Sequence, residues 1–70
     1  MSDTVTIYMP LANQAAEYRA VKAIRQREDI YCVVGPVAAG EEWKFPPGTM
    51  IRRKERMLPN GKQEMVAMPL

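Results

Sequence analysis

The sequence predicts an all-β domain of about five short strands, and three observations carry that expectation. Residues 4–10, "TVTIYMP", alternate Val5, Ile7 and Met9 with Thr4, Thr6 and Tyr8, the period-two signature of a half-buried strand. Asn60-Gly61 lies between two extended runs, the pattern of a tight hairpin. Proline and glycine punctuate the remainder at Gly35-Pro36 and Pro46-Pro47-Gly48, cutting the chain into short pieces. The competing fold class is α+β, with a helix at about residues 11–28.

Taken in order, the first strand ends at Pro10, which cannot donate to a continuing ladder. The next segment, "LANQAAEYRAVKAIRQRED", reads two ways. It holds no glycine or proline and is rich in alanine, so propensity favours helix, with Ala16, Ala20, Ala23, Ile24 and Arg27 sharing a face. As a strand it sets Tyr18, Ala20, Lys22 and Ile24 against Arg19, Val21, Ala23 and Arg25, an alternation no cleaner than the helical one. "DIYCVVGP" is β-branched and aromatic, and reads as a buried strand closed by Gly35-Pro36. "VAAGEE" is a loop and "WKF" a brief extended piece. Pro47-Gly48 suits the centre of a type II turn, proline presetting φ and glycine taking the positive value. "TMIRRKERM" and "KQEMVAM" then form a hairpin, at least from Lys54 to Met65, around a type I′ turn at Asn60-Gly61.

Seventy residues make one small domain, which buries only about 60% of the surface its unfolded chain exposes. Cys32 is the only cysteine and there is no histidine, so neither an internal disulfide nor a structural zinc site is expected. Stability must come from a compact core, from self-association, or from both. No apolar run reaches the roughly 20 residues of a membrane helix, and no leader pattern precedes the first strand. The expected location is cytoplasmic, with no membrane partner. Ten basic and eight acidic side chains give a net charge of +2, too small to demand a nucleic-acid partner.

Residues 29–67 resemble a family of small bacterial proteins of undefined function. The likeness is carried by "DIYCVVGP", "EEWKFPPGTMIRRKER" and "LPNGKQEMVA", where the family shows a DIY-like strand, an acidic loop, an EEWxFxPG signature, a charged strand and a glycine turn. The upstream "TVTIYMPLANQAAEYRAVKA" is also similar, so the resemblance spans nearly the whole chain. The glutamate-tryptophan-phenylalanine-proline-glycine order is its specific part. Relatives often carry cysteine at the position of Arg53, and tryptophan and proline where this chain has Tyr18 and Ala20. A proline there would interrupt a helix, so the resemblance turns residues 11–28 towards strand. It implies a compact five-stranded SH3-like barrel and no known activity.

The inventory argues against catalysis. A serine or cysteine nucleophile needs a base, and histidine is missing. Ser2 lies at a terminus, and Cys32 sits among Tyr31, Val33 and Val34, an apolar setting expected to bury its thiol and leave it inert. Glu41-Glu42 is the one adjacent acid pair, and neighbours on a strand point apart. No catalytic residue, metal or cofactor is expected. Candidate binding residues are Trp43 and Phe45, two apart on one face, read either as caps of the core or as an exposed aromatic shelf. Arg52, Lys54 and Arg56 join them as a row of positive charge at about 6–7 Å spacing, read either as a solvated face partly neutralised by Glu64 or as a phosphate-binding edge. Met50, Met57, Met65 and Met68 gather in the last hairpin, as gap-fillers or as an adaptable contact surface. These residues suggest a non-enzymatic protein-binding module whose partner is another protein or a second copy of itself, as a homodimer. A weak nucleic-acid-binding barrel is the alternative. An oligomeric enzyme with a shared site is a third reading.

Overall fold

The computed structural model describes residues 3–13 and 17–70. Five strands, β1 (Thr4–Pro10), β2 (Tyr18–Arg25), β3 (Tyr31–Val34), β4 (Met50–Met57) and β5 (Gln63–Met68), close into a barrel in chain order. Each neighbouring pair is antiparallel except β1–β5, which is parallel. Among the described residues there is no helix. The chain is a small SH3-like all-β barrel.

The helix considered over residues 11–28 is replaced by β2, and the register explains why. Ile7 faces Val21 and Val5 faces Ala23, so β2 lays its two small apolar side chains against the inward face of β1. Ala23 is fully buried, whereas Ala20 and Ile24, its companions on the proposed helical face, point outward. Ala16 of that face, like Ser2, lies outside the described residues. Tertiary pairing has overridden a helix propensity worth only tenths of a kilocalorie per residue.

The core is drawn from odd-numbered side chains of the strands. Ile7, Met9, Val21, Ala23, Tyr31, Val33, Ile51 and Ala67 are all buried, and Leu11 and Trp43 cover one end. Each large aliphatic side chain taken from water contributes about 1.5–3 kcal/mol. Among the described residues no buried polar side-chain atom lacks a partner, so the interior carries no uncompensated polar cost.

Both predicted turns form, one with altered chemistry. The Thr49 N–H donates to the Pro46 carbonyl at 3.1 Å and Gly48 has φ +90°, a type II turn centred on Pro47-Gly48. The last hairpin differs from the type I′ expectation. Gly61 N–H donates to the Leu58 carbonyl, which makes Pro59 and Asn60 the central pair, and Leu58 N–H donates to Lys62 across a three-residue loop. Gly61, at φ +85°, is the left-handed residue that closes it, while the Asn60 carboxamide accepts from Lys62 N–H. Pro59 decides the difference, because its fixed negative φ suits the first central position of a turn followed by one left-handed residue.

Candidate functional site

The feature that organises one end of the barrel is Trp43. Residues 42–44 run alongside the end of β1. Lys44 N–H donates to the Pro10 carbonyl and Ala12 N–H to the Glu42 carbonyl, bracketing a bridge between Leu11 and Trp43. The indole is 8% exposed, so of the two readings of Trp43 the core cap holds and the exposed shelf does not. Its Nε1–H donates to Glu41 Oε1 at 3.0 Å, and Glu41 Oε2 pairs with Arg19 at 2.5 Å. The Trp43 hydrogen bond chiefly, with the Arg19 hydrogen bond and charge behind it, holds the Glu41 carboxyl below its ordinary range, while burial pulls the other way. Glu41 is committed to these partners, and the adjacent Glu42 is exposed.

Phe45, two residues on, is half-buried against the core, with Lys44 Nζ 5.8 Å from its ring centroid. The candidate residues Phe45 and Arg56 meet here. With Pro10, Tyr18, Lys44 and Met68 they line a depression of about 220 Å³. Cations flanking an aromatic and apolar floor suit an anionic group attached to an apolar one. Trp43 is not part of this depression.

The basic row divides. Arg52, Lys54 and Arg56 are all exposed on the outward face of β4. Arg52 lies 3.6 Å from Asp29, an exposed pair of small energetic weight. Arg56 is opposite Glu64 in the β4–β5 register and turns to the Phe45 depression, while Lys54 faces Val66. Arg53, on the inward side, stacks over Tyr31 at 4.8 Å from the ring centroid. Of the late methionines, Met65 and Met68 are half-buried and Met50 and Met57 exposed, Met57 the most at 67%.

Two further surfaces draw mainly on residues other than the candidates. Val66 and Leu58 are buried although they sit on the outward face, beside Tyr8 and Tyr18. A groove of about 330 Å³ also runs between β2 and the 34–43 loop, with Ala20, Lys22, Val34, Pro36 and the edge of Trp43 among its walls. It exists because the β2–β3 ladder stops at Lys22 opposite Val34. The next hydrogen-bonding pair would be Ala20–Pro36, and Pro36 has no N–H to offer Ala20. Gly35-Pro36 was its only sequence signal.

Cys32 corrects the expectation of a buried thiol. It points outward from β3, half-buried, between Ile24 and Met50, which are 42% and 44% exposed. Among the described residues no cluster of three acidic, cysteine or histidine side chains is placed to hold a metal ion, and no helix is long and apolar enough to cross a membrane. Compared with family models, curated proteins and solved structures, the chain matches none.

Proposed function

We propose that this protein is a non-enzymatic interaction module of the cytoplasm that binds a segment of another protein at the Phe45 depression. The observation that carries the reading is the convergence of Phe45 and Arg56, from different elements, with Tyr18 and Lys44 around one outward hollow. An aromatic floor supplies contact area at low entropic cost, and two flanking cations select an acidic neighbour. Peptides selected from a random display library against the folded chain test it. Arg56→Glu and Lys44→Glu should each weaken the selected peptides roughly tenfold in a chain that remains folded. Selected peptides that bind both variants at full strength would refute the site.

A second reading, weak binding of single-stranded nucleic acid, draws on the exposure of Arg52, Lys54 and Arg56 along one face. Three phosphate contacts make affinity fall with roughly the second power of salt concentration, so binding this weak should vanish by about 200 mM salt. Binding to single-stranded DNA at low salt that is lost by that concentration would support this reading, and a complex that persists above it would overturn the weak-binding expectation.

A further inference from the structure

β4 is longer than its neighbour on one side. β3 pairs with it only at Tyr31–Ile51 and Cys32–Met50, whereas β5 follows it from Arg52 to Met57. In an antiparallel ladder alternate residues direct their N–H and C=O to opposite neighbours. Val33 N–H donates to the Thr49 carbonyl, and Leu58 N–H donates to Lys62 at the end of the β5 ladder. Odd-numbered residues of β4 therefore address the β3 side and even-numbered ones β5. The main-chain groups of Arg53, Glu55 and Met57 consequently face away from the sheet, and no described strand meets them.

Such an edge is a template for an added strand, and its charge selects what adds. Arg52, Arg53, Lys54 and Arg56 against Glu55 leave a net charge of +3 over five residues. A second copy pairing antiparallel about Lys54 would set Lys54 against Lys54 and Arg52 against Arg56, and like charges directly opposite are destabilising. An acidic strand would instead place its carboxylates against Lys54 and Arg56 of the outward row, Arg52 being already paired with Asp29. Its alternate side chains would lie beside Arg53, Glu55 and the exposed Met57.

We infer that the free edge of β4, from Arg53 to Met57, takes an extended acidic segment of a partner protein as an additional strand. The inference rests on the interaction-module reading and gives the module a contact surface beside the Phe45 depression: main-chain hydrogen bonds for affinity, and the cationic row for selectivity.

The test uses the full chain and a short blocked peptide alternating aspartate with valine, with a lysine–valine peptide as control. The aspartate peptide should slow hydrogen exchange at the amides of Arg53, Glu55 and Met57 at least tenfold, and Lys54→Glu should weaken it roughly tenfold. N-methylation along one edge of the peptide should abolish binding, and along the other should leave it intact, a signature that charge attraction alone cannot give. Three results would overturn strand addition: no binding, equal sensitivity to methylation on both edges, or perturbation confined to Tyr18, Lys44 and Phe45. The last of these leaves the module reading standing. That reading fails separately, if library-selected peptides ignore Arg56→Glu and Lys44→Glu. Protection of the same amides that rises with protein concentration in the absence of peptide would replace the acidic segment with a second copy.

Discussion

Glu41 illustrates what a single side chain contributes to this barrel. Its carboxylate is the acceptor for a nearly buried indole N–H, which would otherwise lose its hydrogen bond to water without replacement. Hydrogen bonds to the ionised form, from Trp43 first and then Arg19, favour it over the neutral acid and lower the pKa from its ordinary 4.5. A group whose folded pKa lies below its unfolded value adds stability that is fully present above the unfolded value and lost as pH falls through the folded one. The melting temperature should therefore fall as pH drops below about 4.5, with tryptophan emission shifting red as the indole is exposed. Glu41→Gln keeps an oxygen for the indole but removes the titration, so its melting temperature should vary less over that range. An equal fall in both proteins would assign the acid sensitivity elsewhere. The sequence offered Glu41 only as half of an adjacent acid pair. Its partner Arg19 comes from β2, twenty-two residues earlier, and nothing local to either residue announces the match. Phe45 and Arg56 were legible as individual candidates, but their meeting depends on how β4–β5 curves beneath residues 43–45.

At the level of elements, legibility followed the clarity of the local period. β1 was readable because Val5, Ile7 and Met9 are its only apolar aliphatic side chains and all share one parity. β2 was not, because Arg19 and Arg25 share the inward parity of Val21 and Ala23 while Ile24 falls on the outward one. Such a strand is specified by its partners, Ile7 and Val5 on one side and Val33 on the other. The β4–β5 hairpin was announced by Asn60-Gly61, yet the turn type depended on Pro59 just before it. Its geometry leads to a clear expectation. Gly61 alone among the loop residues must hold φ +85°, and a Cβ there meets no neighbour within 4 Å, so Gly61→Ala carries conformational strain without a clash. The cost should be about 1–2 kcal/mol, read as a lower urea midpoint with an unchanged m-value. Asn60→Ala, which removes the contact to Lys62 N–H, should cost less than Gly61→Ala. The reverse order would mean that Asn60, and not Gly61, occupies the demanding backbone conformation.

For the molecule as a whole, the question is where a closed barrel of this size opens first. β1 is bonded to β2 along its entire length but meets β5 at the single pair Tyr8–Val66. Adjacent residues of β1 thus report on different interfaces. The Arg25 N–H donates to Asp3 and the Leu11 N–H to Glu17, so odd-numbered residues, Ile7 among them, address β2. Even-numbered residues face the other way, Tyr8 towards β5 and Pro10 towards Lys44. Parting β5 from β1 exposes Val66 and the outward tyrosine cluster but leaves the β1–β2 ladder intact, so it should need less free energy than global unfolding. Native-state hydrogen exchange in low urea separates the two. The Tyr8 amide should exchange through a small opening with weak urea dependence, while Ile7, Val21 and Ala23 exchange only with the full urea dependence of unfolding. Identical free energies and slopes for Tyr8 and Ile7 would mean that the seam has no separate opening and the barrel is one cooperative unit. A weak seam would also couple to the proposed partner. A strand added at β4 restrains the β4–β5 hairpin, and so should raise the protection of Tyr8 more than that of Ile7, although neither residue touches the added strand.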